Sequence, residues 1–207
     1  MLISGSGSNL QAFIDASRDP NYPCTVVAVI SNRPGVRGLA RAQAAGIAAE
    51  VVDHTLFAGR EAFDAALREH IDAHTPDLVI LAGFMRILTP GFVQHYSGRL
   101  LNIHPSLLPK YPGLHTHRRA LEAGDTEHGA SVHFVNTDLD GGPVIVQVRV
   151  PVLPGDDEAS LAARVLEREH RIYPLVARLF AEGRLLLSAD GAELDGLRLP
   201  AHGMTLD

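Results

Sequence analysis

The stretch "REAFDAALREHIDAHTPDLVILAG" (residues 60–83) sets the fold class, because two hydrophobic periods meet inside it. Over residues 60–74, Phe63, Ala66, Leu67, His70 and Ile71 recur at three- and four-residue spacings, one apolar stripe of an amphipathic helix. "DLVILAG" (77–83) is instead a short continuous apolar run, as expected of a strand buried on both faces. The same alternation runs upstream. "TVVAVISN" (25–32) is a buried strand closed by Asn32 and Pro34, and "GVRGLARAQAAGI" (35–47) is a helix that Gly46 can stop. "AAEVVD" (48–53) is the next strand. Strands alternating with helices predict an α/β, Rossmann-like fold with a mostly parallel central sheet and flanking helices.

Downstream the pattern changes. "GASVHFVN" (129–136) and "GPVIVQVRVPV" (142–152) are joined by the turn-rich "TDLDG", which predicts an antiparallel pair in the carboxy-terminal part. A helix over about 158–182 follows, with Leu161, Val165, Leu175 and Leu179 on its inner side and Pro174 kinking it. The tail from Leu185 to Asp207 reads as short edge strands. At the other end only Met1, Leu2 and Ile3 precede "SGSGSN", whereas a strand usually has about five or six residues. Either the gene product is therefore expected to start a few codons earlier, or this chain is expected to be a trimmed form of it.

The 207 residues fit one domain, or two small ones, with a sizeable core, and 46% hydrophobic residues with a mean hydropathy of +0.07 suit that. A net charge of −6 argues against a nucleic-acid binder, since no basic face is available to displace counterions. With no signal peptide and no apolar run long enough to span a bilayer, no membrane partner and a cytoplasmic location are expected. The single cysteine, Cys24 in "CTVVAVI", reads as a small buried hydrophobe in a strand.

Three segments could carry chemistry. "SGSGSNLQAFID" runs from strand into helix, with Gly5 and Gly7 allowing a tight turn and Ser8 or Asn9 able to cap a helix that buries Leu10, Phe13 and Ile14. Free N–H groups at such a helix start suit a phosphate. It is neither a Walker loop nor a full dinucleotide fingerprint, lacking the Lys-Ser/Thr ending and the third glycine. In "LLNIHPSLLP" (100–109), Asn102 and His104 share one face near the carboxyl end of a strand, where open α/β sheets bind ligands. An amide donor and an imidazole together can stabilise an oxyanion and move a proton. In "NTDLDGG" (136–142), Asp138 and Asp140 sit on a loop between strands; either could raise the pKa of His104 and orient it, or simply form a turn. Eleven histidines invite a metal reading, but His115 and His117 would share a face only on a strand, whereas "THRRALEAGD" (116–125) reads as a helix, and His70 lies on an apolar stripe. No metal is expected.

Taken together, "ISGSGSN", "LAGFMRILTP", "LLNIHPSLLPKYPGLHTHRRALEAGD", "HGASVHFV", "DLDGGPVI" and "EHRIYPLV" resemble the phosphoribosylglycinamide formyltransferases, over nearly the whole chain. The resemblance implies one formyltransferase domain over 1–207. Residues 1–100 would be its nucleotide- and phosphate-binding half, and 101–207 its catalytic and folate-binding half. It implies transfer of the formyl group of 10-formyltetrahydrofolate to the amino group of glycinamide ribonucleotide in purine biosynthesis, by a monomer or homodimer.

The resemblance also implies residue roles. Asn102, His104 and Asp140 match the catalytic residues. Gly7, Ser8 and Asn9 match the loop that holds the ribonucleotide phosphate. Leu166, Glu167, Arg168 and Glu169 match the stretch whose last residue bonds the ribose hydroxyls. Met85, Arg86, Ile87 and Leu88, with Asn102, Asn136, Thr137, Asp138, Leu139 and Asp140, match the folate cleft, while Arg60 and Arg86 match positions near the acidic folate tail. Ser6 departs from the pattern, standing where asparagine is often found between the glycines.

Neighbouring activities give the alternatives. A 10-formyltetrahydrofolate hydrolase would be expected to add an amino-terminal regulatory domain, and a formyltransferase acting on tRNA a basic carboxy-terminal one. A non-catalytic folate or nucleotide sensor would not need Asn102, His104 and Asp140 together. A Rossmann-type oxidoreductase is disfavoured because Asn32, not an acidic residue, ends the second strand.

Overall fold

A computed structural model describes residues 1–206, and the chain divides into two units, Met1–Leu101 and Asn102–Asp207. The first unit runs β1 (Leu2–Ile3), α1 (Ser8–Ala16), β2 (Ala28–Ser31), α2 (Arg37–Ala44), β3 (Ala48–Val51), α3 (Arg60–Asp72), β4 (Val79–Leu81) and α4 (Pro90–His95). Its strands lie in the order β4-β1-β2-β3, every pairing parallel. Leu2 pairs with both Ile30 and Leu81, so the short first strand sits centrally between two fully buried neighbours. Parallel strands covered on both faces need apolar residues on both sides, which is why β2 and β4 read as continuous runs.

β5 (Leu100–His104) leads into the second unit, followed by α5 (Thr116–Glu122), β6 (Glu127–Phe134), β7 (Val144–Pro151) and α6 (Glu158–Ala181). β6 and β7 are antiparallel, as the turn-rich join predicts, with a register shift between Val132 and His133. The tail forms β8 (Leu185–Ser188), β9 (Gly191–Leu194), β10 (Leu197–Arg198) and β11 (Met204–Leu206). The first three of these make a separate small antiparallel sheet, and β11 is an edge strand parallel to β7. Asp207, included in the tail expectation, lies outside the described residues. The fold is α/β, with a mostly parallel sheet flanked by helices.

Several expectations are corrected. Cys24 is half-buried on the extended lead-in to β2 rather than inside a strand, because β2 begins only at Ala28. α1 buries Leu10, Phe13 and Ile14 as expected, but neither Ser8 nor Asn9 caps it. Gly7 occupies the cap position at φ 68°, and Ser8 is already helical. His70 does not join the apolar face of α3. Its ring faces Glu50 at 2.7 Å, His74 meets the other oxygen of that carboxylate at 2.6 Å, and Asp64 takes the buried position. Burial pushes the Glu50 carboxyl up, but the two imidazole hydrogen bonds outweigh it and the net shift is downward.

α6 runs through Pro174 without interruption. Its buried face carries Leu161, Val165, Glu169, Ile172, Tyr173, Val176 and Leu179, while Leu175 is 36% exposed. Leu161, Val165, Glu169, Ile172, Val176 and Leu179 follow one another at three- or four-residue steps, whereas Leu175, two residues after Tyr173, points about 200° away from it. Glu169 hides the true stripe because a carboxylate occupies one of its rungs.

Candidate active site

β5 delivers Asn102 and His104 to one face, as alternation in a strand requires. His104 is buried and Asn102 half-buried. Asp140 reaches them from the loop after β6, held in the left-handed region at φ 50°. That loop closes tightly: a Cβ on Gly142 would overlap the Phe134 carbonyl, so only glycine fits there. One carboxylate oxygen of Asp140 accepts from the Gly113 N–H at 2.8 Å and lies 3.4 Å from His104 Nδ1. The other accepts from Asn102 Nδ2 at 3.4 Å. The opposite ring nitrogen of His104, Nε2, donates to the Tyr111 carbonyl at 2.8 Å. Each nitrogen of this imidazole therefore faces an oxygen acceptor.

His133 completes the cluster and is not singled out by the sequence reading. Its Nδ1–H donates to the Phe134 carbonyl at 2.8 Å, so Nε2 carries the lone pair and accepts from Asn102 Nδ2 at 3.2 Å. Nε2 is also 3.8 Å from Asp140. Burial pushes the pKa of His133 down, consistent with a neutral acceptor that fixes which way the Asn102 amide faces. Its only signal in the sequence is a histidine set between the apolar Val132 and Phe134.

The segment between β5 and α5 is braced by polar groups. Ser131 Oγ donates to the Ser106 carbonyl at 2.6 Å, and Tyr111 Oη donates to Asp125 at 2.8 Å. His117 meets His128 across 3.1 Å rather than pairing with His115, which is exposed in a left-handed conformation before α5. Burial lowers the pKa of His117 and pushes that of His128 down to about 4. Among the described residues no group of three histidine, cysteine or acidic side chains is arranged to hold a metal. Asn136 Oδ1 accepts from the Asp138 N–H at 3.0 Å, leaving Thr137, Asp138 and Leu139 exposed on the loop. On α6, Glu169 is buried, Leu166 and Arg168 are half-buried, and Glu167 is exposed and paired with Arg171.

In the first unit, Gly7, Ser8 and Asn9 stand at the start of α1. The amides of Gly7 and Ser8 meet no acceptor among the described residues. Ser4 ties this region together, accepting from the Met85 N–H at 2.7 Å and donating to Asn32 Oδ1 at 2.6 Å. Arg60 is exposed, and Met85 and Ile87 expose 63% and 61% of their surface despite being apolar. Leu88 is half-buried, and the buried Nε of Arg86 has no acceptor among the described residues. The Arg86 guanidinium stacks over the Phe63 ring, 5.5 Å from its centroid.

A formyl transferase family model matches residues 1–177. The chain is 59% identical to phosphoribosylglycinamide formyltransferase of Escherichia coli, covering all of this chain and 98% of that protein. It is 48% identical to the Haemophilus influenzae protein of the same name, covering 98% and 96%. Among solved structures, phosphoribosylglycinamide formyltransferase of Coxiella burnetii superposes with a TM-score of 0.96 at 50% identity, covering 100% of this chain and 97% of that one. Asn102, His104 and Asp140 thus come together on a fold shared with these enzymes, and the chain belongs to the formyl transferase family, among the phosphoribosylglycinamide formyltransferases.

Proposed function

We propose that Asn102, His104 and Asp140 carry the formyl transfer in this protein, the reaction being from 10-formyltetrahydrofolate to the amino group of glycinamide ribonucleotide. The observation that carries the assignment is the Asp140 carboxylate with Asn102, His104 and the Gly113 amide gathered around it. The substrate amine attacks the formyl carbon and the carbonyl oxygen becomes anionic. Asn102 Nδ2 and the His104 imidazole, turning from their resting partners, donate to that oxygen. The carbon–nitrogen bond to the folate then breaks. The attacking amine loses one proton and the departing folate nitrogen gains one, with His104 and Asp140 moving it. No step needs a metal.

Gly7, Ser8 and Asn9 hold the ribonucleotide phosphate through backbone N–H groups, and Glu169, in the stretch 166–169, takes the ribose hydroxyls. Met85, Ile87, Leu88 and the 136–140 loop give apolar walls and backbone groups for the folate rings, and Arg60 and Arg86 meet its acidic tail. The first unit is thus the phosphate-binding half and the second the catalytic half. No described helix is long and apolar enough to cross a membrane, and a lone cysteine with two small anionic substrates supports a cytoplasmic enzyme, acting as a monomer or homodimer.

The test is formylation itself. Purified protein is mixed with glycinamide ribonucleotide and 10-formyltetrahydrofolate, and product is followed by mass spectrometry. Formylated ribonucleotide that disappears in His104→Ala and Asp140→Asn supports the assignment. Free formate without formylated product would instead identify a hydrolase.

A further inference from the structure

The loop before α1 is held from behind by α2, and the hold involves two successive carbonyls. The Gly38 N–H, in the first turn of α2, donates to the Gly5 carbonyl at 3.0 Å. Arg41 Nε, one turn further on, donates to the Ser6 carbonyl at 2.9 Å, and its NH1 donates to Gln11 Oε1 of α1 at 2.9 Å. The packing is close. A Cβ on Gly7 would come within 2.7 Å of Gly38 Cα, and one on Gly38 would strike the Ile3 side chain.

In a planar trans peptide the C=O and the following N–H point in opposite directions. Fixing the Gly5 and Ser6 carbonyls toward α2 therefore turns the Ser6 and Gly7 N–H groups away from it. The two helices use their amino termini differently: α2 spends a first-turn donor on the loop, while the amides of Gly7 and Ser8 at α1 stay open. The guanidinium reaches both acceptors at once, because its fork presents separate N–H groups in a rigid plane.

We propose that Arg41 is a positioning residue for the ribonucleotide phosphate, acting by locking the Ser6–Gly7 peptide so that its N–H faces the anion. This rests on the reading that residues 7–9 hold that phosphate. Arg41 itself makes no demand on the chemical step, so its loss appears in binding of one substrate only.

The experiment compares Arg41→Ala, Arg41→Lys and Gly7→Ala with the wild type. Each is assayed on glycinamide ribonucleotide and on the phosphate-free glycinamide riboside, with melting temperatures recorded. Arg41→Ala is expected to raise KM for the ribonucleotide roughly tenfold or more, the scale of one charge-assisted hydrogen bond. It should leave kcat, KM for the folate and KM for the riboside within about twofold, and Arg41→Lys should recover only part of the loss. Full recovery in Arg41→Lys would mean that charge alone matters and would overturn the positioning role. So would a parallel loss on both acceptors that tracks a lowered melting temperature. An unchanged KM in Arg41→Ala beside a raised one in Gly7→Ala would sink the role of Arg41 and leave the phosphate loop standing. If neither variant raises KM, or the wild type accepts the riboside equally well, the phosphate reading falls and takes the inference with it.

Discussion

The glycine loop before α1 and the cluster around Asp140 both sit at strand ends, but they are made of different material. The loop presents backbone amides, and side chains enter only from behind, through Arg41 and Ser4. The Asp140 cluster is made of side chains, and backbone enters as support, through the Gly113 N–H and the Tyr111 and Phe134 carbonyls. A backbone site tolerates changes of side-chain identity but not an added Cβ. A side-chain site tolerates nothing at the named positions, because removing one polar partner leaves the others buried and unsatisfied. The loop also contains no histidine, whereas the cluster holds His104 and His133 against Asp140.

The contrast is tested most directly at Asp140. Asp140→Ala should lower kcat by about 10²–10⁴-fold, the usual worth of a positioned acid–base group. Steady-state assays that find kcat within tenfold of wild type would remove Asp140 from the machinery.

Acid should separate the two regions next. His128 has a folded pKa of about 4 against an ordinary 6.5, and burial is the main cause. Its contribution is complete above pH 6.5 and is lost as pH falls from 6.5 toward 4, because the unfolded chain takes up the proton first. Over that window the loss is on the order of 3 kcal/mol. His117, 3.1 Å away, adds a second cation to the same place. Melting temperature measured from pH 7.5 to 4.5 should drop steeply in the wild type and more gently in His128→Gln. Equal slopes would exclude the pair as the cause.

Gly7→Ala should give a smaller effect, about 1–3 kcal/mol, from a left-handed φ of 68° and the approach to Gly38. Denaturant unfolding midpoints would read it, and no change would mean that the loop relaxes freely. Ser6→Asn should matter least, changing KM for the ribonucleotide by less than about tenfold, or about 1.4 kcal/mol. A larger change would show that this side chain, and not only its carbonyl, takes part.

Much of the fold and part of the site are legible in the order of residues, for identifiable reasons. The periods in 60–83 and the apolar runs around them yield α3, β4 and the parallel sheet, because those signals are local. Asn102 and His104 are legible as a pair because two residues apart on a strand means one face. Where burial involves a polar residue the pattern misleads: Asp64 and Glu169 occupy buried positions that hydrophobicity alone assigns elsewhere.

Neighbours along the chain account for the alternation of elements, the glycines of the loop and the Asn102–His104 face. It takes the packed molecule to turn Asp140 and not Asp138 to His104, to set His133 against Asn102, and to bring Arg41 back to Ser6. Those partners are 36, 31 and 35 residues apart. They meet because a β6–β7 hairpin turns at glycines and because α2 packs within 2.7 Å of a position where only hydrogen replaces a side chain. Distances of that kind depend on how elements close on each other, which no local period encodes.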